Sequence, residues 1–201
     1  MYVQVIQGRA ADAARMRSHF EEWERTLGPG ATGWLGTTAG VTDDGRTIAL
    51  ARFDSDEAAQ ANSGRPEQGV WWSTMESLYD GDPSFTDCRL VDAEITGNPD
   101  DAGFVQVMQG QSSDVQRARS LMDNSSTDLS AARPDILGRL WASNEEGEWT
   151  MAIYFTSEEA AREGEQKEMP AEMHAVMEEI NSLETREPTY FDLRDPWLSG
   201  P

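Results

Sequence analysis

An α+β fold, written twice in one chain from the same βαββαβ unit, is what the sequence predicts, and three observations predict it. First, Tyr2-Val3-Gln4-Val5-Ile6-Gln7-Gly8 returns as Phe104-Val105-Gln106-Val107-Met108-Gln109-Gly110, an offset of 102. Second, that offset holds without a gap for about sixty residues, the mark of a duplicated unit. Asp12, Arg15, Arg17 and Ser18 recur as Asp114, Arg117, Arg119 and Ser120; Leu35-Gly36 recurs as Leu137-Gly138, and Gly45 as Gly147. Phe53-Asp54-Ser55-Asp56-Glu57-Ala58-Ala59 comes back as Phe155-Thr156-Ser157-Glu158-Glu159-Ala160-Ala161. Third, strand and helix periodicities alternate in the same order in each copy.

Each element has its reason. Residues 2–7 are a β-branched and aromatic run, a strand with Val3 and Val5 on one face and Tyr2 and Ile6 on the other. Residues 11–26 carry Ala13, Met16, Phe20 and Trp23, followed by Leu27, at spacings of three and four, an amphipathic helix. Residues 33–41 and 46–53 read as two strands turning at Asp43-Asp44-Gly45, where glycine supplies a positive φ. Asp54 or Ser55 caps the next helix, with acids in its first turn. After the break at Gly64-Arg65-Pro66, a second helical piece holds Trp71, Trp72, Met75, Leu78 and Tyr79, and residues 85–92 close the half as a strand. The second copy repeats this as strand 104–109, helix 114–124, hairpin 136–155 turning at Glu145-Glu146-Gly147, helices from 157 to 182, and strand 187–193. The predicted domains are 1–95 and 104–201, joined by a Gly/Pro/Asn/Asp-rich linker over 96–103.

Composition bounds the function. The 201 residues hold 37 Asp plus Glu against 16 Lys plus Arg, a net charge of −21. Such a surface repels phosphate backbones and anionic lipid heads, so neither nucleic acid nor a membrane surface is an expected partner. One cysteine, Cys88, excludes an internal disulfide and points to a reducing, cytoplasmic setting. The first twenty residues show no apolar signal region, and no stretch is long and apolar enough to span a bilayer. Nucleotide-binding glycine loops, the serine nucleophile elbow and paired metal-ligand spacings are missing, so no cofactor and no metal are expected.

The order βαββαβ in about 95 residues is the ferredoxin-like unit, whose sheet carries helices on one face and leaves the other apolar. Two tandem copies can cover each other sheet to sheet, giving a pseudo-two-fold α+β barrel within one chain and a monomer in solution.

Strand Val3-Gln4-Val5-Ile6-Gln7, the hairpin, and Phe53 to Ala59 with its copy Phe155 to Ala161 together resemble the dimeric α+β barrel superfamily, in particular its antibiotic-biosynthesis-monooxygenase-like branch. The resemblance covers nearly the whole chain, twice. It implies a ligand pocket between sheet and helices in each half. Superfamily members include cofactor-free quinone-forming oxygenases, haem-degrading enzymes, isomerases and stress-responsive proteins. The haem degraders use an Asn on strand 1 and a Trp and a His on the second helix. By register these positions fall near Gln4 and Gln106, near Asn62 and Gly164, and near Trp71 and Met173, with His174 adjacent. Neither half has the full set, so haem degradation is not expected.

Polar residues that replace an apolar twin are the candidate site residues. His19, opposite Leu121, is either a helix-boundary histidine or a pocket imidazole that moves a proton. Arg52, opposite Tyr154, shares a face with Ile48 and Leu50; it either snorkels to water or anchors a phenolate, and Tyr154 either fills the core or hydrogen-bonds a ligand. Gln4 and Gln106, identical in mid-strand, either bond across the layers or orient a ligand oxygen. Trp71 joins them as a ligand-binding candidate. The uneven tryptophans suggest that one half binds a flat ligand and the other serves as scaffold. The expected function is therefore binding of a flat phenolic or quinone-like molecule, in either of two forms. In one it is a cofactor-independent monooxygenase using His19 as proton carrier; in the other it is a non-catalytic carrier, sensor or stress-associated protein.

Overall fold

A computed structural model describes residues 1–95, 97–123, 133–168 and 171–201. The parts of the predicted linker, of helix 114–124 and of the span 157–182 that fall on residues 96, 124–132 and 169–170 lie outside the described residues. Among the described residues, no helix is long and apolar enough to cross a membrane.

Two units emerge, residues Met1–Val91 with Asp195–Pro201, and residues Asp92–Arg194. The first contains β1 (Tyr2–Arg9), α1 (Ala13–Thr26), β2 (Trp34–Val41), β3 (Arg46–Phe53), α2 (Asp56–Ser63), α3 (Pro66–Glu76) and β4 (Ser84–Cys88). Strand β5 (Leu90–Ile95) leads into the second, followed by β6 (Phe104–Ser112), α4 (Val115–Asp123), β7 (Ile136–Ser143), β8 (Glu148–Phe155), α5 (Glu158–Glu165), α6 (Ala171–Leu183) and β9 (Glu184–Leu193). A last strand, β10 (Trp197–Ser199), follows.

The two sheets run β10-β2-β3-β1-β4 and β5-β7-β8-β6-β9. Each is thus the ferredoxin-like four-stranded sheet with one added edge strand. The run 85–92, which reads as one strand, is two: β4 pairs with β1, and β5 edges the second sheet. Residues 195–201 pass to the first unit because β10 pairs with β2 through Trp197–Ala39, Leu198–Thr38 and Ser199–Thr37. The division therefore falls at residues 91 and 92 and not within 96–103, where Gly97 N–H donates to Leu137 O at 2.8 Å and a 3-10 turn occupies Pro99–Asp101.

The duplication extends to details of the backbone. Ser55 Oγ accepts from Ala58 N–H and Ser157 Oγ from Ala160 N–H, both at 3.1 Å, capping α2 and α5 alike. The hairpins turn through Gly45 at φ 82° and Gly147 at φ 87°. The register shifts between Trp34 and Gly36 and again between Ile136 and Gly138, so Leu35-Gly36 and Leu137-Gly138 are one bulge written twice.

The cores differ. In the first unit Tyr2, Trp23, Ala31, Trp34, Phe53 and Ala59 form one buried cluster, and Met16, Phe20, Met75 and Leu78 another. In the second, Phe104, Phe155 and Ala161 pack with Ile136 and Ile153. Phe104 is fully buried, with the Arg162 guanidinium 5.3 Å from its ring centroid.

Candidate functional site

A cavity of about 310 Å³ lies in the first unit. Its floor is the helix-side face of the sheet, Gln4 and Ile6 of β1, Thr37 and Ala39 of β2, and Thr47, Ala49 and Ala51 of β3. Met16, Phe20 and Trp23 of α1, with Gln68, Trp71, Trp72 and Met75 of α3, form the other side. Trp34, Tyr79, Phe85 and, from β10, Trp197 complete the walls.

The small floor makes the space. The register places Gln4 opposite Ala51, Ile6 opposite Ala49, and Gly8 opposite Thr47. In the second unit the same register places Gln106 opposite Ile153, Met108 opposite Met151, and Gly110 opposite Trp149. On the neighbouring strand Thr37 and Ala39 give way to Arg139 and Trp141. Small residues across five floor positions thus become large ones, and the cavity of about 200 Å³ in that half is smaller and borders Arg139 and Trp141.

An aromatic ring lies against the strand-1 glycine in each unit, and the sources differ. A Cβ at Gly8 would come within 2.5 Å of Tyr79 Cδ1, and one at Gly110 within 2.5 Å of Trp149 Cζ2. Glycine is required at both positions by this close approach. In the first unit the ring comes from the loop after α3 and borders the cavity. In the second it comes from the adjacent strand and is tied down by Glu184, whose carboxylate accepts from Trp149 Nε1 at 2.9 Å. Burial pushes the Glu184 carboxyl up, against the lowering effect of that hydrogen bond.

Among the described residues, the cavity lining holds no Asp, Glu, Lys, Arg or His, although the chain carries a net charge of −21. Its polar groups are neutral and mostly committed. Trp23 Nε1 donates to Gln68 Oε1 at 2.6 Å, and Trp34 Nε1 donates to Thr37 Oγ1 at 3.0 Å. Gln4 Nε2 donates to Asp87 Oδ1 at 3.1 Å, and Asn62 Oδ1 accepts from Arg65 at 2.9 Å. Thr47 Oγ1 is buried without a hydrogen-bond partner of ordinary geometry. The nearby Tyr79 phenol is pushed up by burial, an effect the Thr47 hydroxyl opposes. Flat apolar surface dominates: Trp23 meets Trp34 edge-on at 4.9 Å, and Trp72 lies 5.3 Å from Phe85.

The sequence candidates separate on this map. Gln4 and Trp71 line the cavity. His19 does not line it. Its ring stacks on Trp71, its Nε2 lies 3.0 Å from Trp71 O, and its Nδ1 faces Glu22 at 3.4 Å. Arg52 does not line it either, because strand alternation puts it on the opposite face. There its guanidinium lies over Gly36, close to the Ser199 carbonyl. Gln106 donates to Asp192 at 3.0 Å, the second unit's version of the Gln4–Asp87 pair. Tyr154 is buried opposite Val105 on the face away from Met151 and Ile153. His174 stands exposed beside Glu178. Of the positions matched to haem-degrader residues, Asn62 borders the first cavity, while Gly164 packs against Arg133.

Sequence reasoning missed Thr47, Tyr79, Trp197 and the small floor. The floor had a legible signal, since the 102-residue offset pairs each small residue with a large one.

The second unit offers a smaller, charged cavity of about 200 Å³. Arg119 pairs with Asp92 at 2.5 Å, and Arg139 with Glu94 at 2.7 Å, along its wall. Its arginines are thus met by carboxylates.

No protein-family model and no curated protein matches the sequence. Solved structures do match across the whole chain. A presumed monooxygenase from Lactobacillus acidophilus superposes with TM-score 0.75 at 13% identity, covering 99% of this chain and 96% of that one. Another from Fusobacterium nucleatum gives 0.75 at 8% identity, covering 99% and 94%. The chain shares the fold of these tandem dimeric α+β barrel proteins. An anthrone oxidase-like protein has this tandem fold too, with TM-score 0.67 at 12% identity, covering 100% of this chain and 94% of that one. At such identities the likeness fixes architecture, and function must be argued from the site.

Proposed function

We propose that the first unit binds a neutral, flat, oxygen-bearing aromatic molecule, phenolic or quinone-like, in the cavity between α1, α3 and the sheet. The observation that carries this reading is the uncharged, indole-lined wall in a strongly acidic protein. A desolvated anion or cation there would find no countercharge, a costly situation. The cavity is at the small end of the usual range of about 300–1,000 Å³ for ligand sites, which suits two or three fused rings.

The neighbour described as anthrone oxidase-like supports oxygenation as the chemistry of this site. In that reaction a doubly benzylic CH₂ becomes C=O. The carbon loses two hydrogens and four electrons, and O₂ supplies the carbonyl oxygen and leaves its second atom in water. The protein would contribute orientation and exclusion of water. A second reading, a non-catalytic carrier, is favoured by the absence of a carboxylate or imidazole in the described lining to take the first proton.

Calorimetric titration with anthrone and with anthraquinone-2-sulfonate, followed by oxygen-electrode traces, tests both. The expected result is anthrone binding at least about tenfold tighter than the sulfonate. Equal affinity, or no binding of either, overturns the neutral-ligand reading. Bound anthrone consumed no faster than in buffer selects the carrier.

A further inference from the structure

Trp71 is a cavity-wall indole held from outside the cavity. Its indole N–H donates to the backbone carbonyl of His19 at 3.0 Å. In return the His19 Nε2 meets the carbonyl of Trp71 at 3.0 Å, so that nitrogen carries the proton and donates. The two rings stack with centroids 5.0 Å apart and planes 10° apart. His19 is on α1 and Trp71 on α3, and this reciprocal pair joins the two helices across a separation of 52 residues. The imidazole is only 15% exposed, and Glu22 lies 3.4 Å from its other nitrogen.

Helix α3 needs such a tie. Gly69 sits in its middle, Val70 is 72% exposed, and Met75 is its one buried residue. A glycine inside a helix weakens it, and with Trp71 and Trp72 only partly buried against the core, the hold of α3 on α1 leans on the Trp23–Gln68 bond and on this pair. Yet Gln68, Gly69, Trp71, Trp72 and Met75 of this helix all line the cavity.

We propose that His19 is a positioning residue that fixes the plane of Trp71 and the seat of α3, and thereby makes the cavity selective for flat ligands. This role replaces proton transfer at His19, since the ring lies behind Trp71 and its Nε2–H is committed to a carbonyl. The part about ligand selectivity rests on the function proposed above; the part about α3 does not.

The test uses the full chain in four variants: His19→Leu, which installs the residue found at the twin position 121; His19→Gln, which retains a donor; Trp71→Phe, which keeps a ring but removes the indole donor; and the His19→Leu/Trp71→Phe double. Hydrogen–deuterium exchange of residues 66–79 is read without ligand. About tenfold faster exchange is expected in His19→Leu and partial rescue in His19→Gln, the factor about 1.4 kcal/mol of lost bonding gives. The His19→Leu/Trp71→Phe double variant is expected to show less than the sum of the single effects. Binding is then compared for flat anthrone and globular 1-adamantanol, with the preference for anthrone expected to fall about tenfold in His19→Leu. Unchanged exchange in α3 overturns the positioning role. Faster exchange with an unchanged anthrone preference overturns selectivity alone. Failure of the wild type to bind either probe defeats the ligand reading and leaves the exchange result to judge the tie.

Discussion

The two halves share a backbone plan and spend it differently. At five equivalent floor positions the first half has Thr37, Ala39, Thr47, Ala49 and Ala51, where the second has Arg139, Trp141, Trp149, Met151 and Ile153. The first half puts its large aromatics on the helices and walls, over a small-residue floor, and a cavity of about 310 Å³ results. The second puts bulk on the sheet itself. A duplicated fold can thus hold a larger, uncharged cavity in one copy and a smaller, charged one in the other by moving volume from one layer to the facing one. The caps, bulge and hairpin glycines that specify the backbone stay where they are.

The largest effect expected from breaking this comparison is in the second half. Phe104→Ala removes a fully buried ring from the Phe104–Phe155–Ala161 cluster and should cost about 3–5 kcal/mol in urea unfolding. Anthrone affinity should be unchanged in that variant, because the cavity belongs to the other unit. Next comes a transplant of the second floor into the first. Ala49→Met with Ala51→Ile should lower anthrone affinity at least about a hundredfold, while the thermal midpoint holds, since the added side chains enter existing space.

A third change sharpens the comparison at a single oxygen. Tyr2 is the twin of Phe104, and its hydroxyl donates to Asp87 at 2.5 Å. Tyr2→Phe should cost about 1 kcal/mol. Burial, and then the Asp87 hydrogen bond, raise the Tyr2 phenol above its usual value. Because the folded value lies above the unfolded one, this stabilisation is complete below about pH 10 and is lost as pH rises beyond it. Thermal midpoints between pH 9 and pH 12 should therefore fall less steeply in Tyr2→Phe than in the parent.

The smallest effect is expected at the first hairpin. The Thr42 hydroxyl, then Arg46, hold Asp44 down at about 2. Here the folded value is the lower one, so the contribution is present above about pH 4 and disappears as pH falls toward 2. Asp44→Asn should be slightly less stable than the parent at pH 7 and should flatten the acid limb of the stability profile, the two converging near pH 2.

The duplication, the order of elements, the capping serines and the turn glycines were legible because each rests on local residue chemistry. Strand β10 was not, because three residues carry no period, and the split of 84–95 into two strands was hidden by a continuous β-favouring run. Of the candidates, Gln4, reached by strand register, and Trp71, reached by counting from the Ser55 segment, line the cavity. Arg52 was misplaced although its face was read correctly from Ile48 and Leu50: that face is the one away from the helices. His19 was read for its titration, while its placement depends on a contact 52 residues away that no local pattern contains.

Trp197 lines the cavity of a unit whose other wall residues all lie before residue 86. A ribosome delivers the chain in order, so the first half leaves the exit tunnel with its pocket unfinished. It must keep an apolar, unsealed wall while more than a hundred further residues are made. The acidic surface that keeps partly folded chains apart would matter most during that interval, and the cavity wall is complete only once β10 arrives.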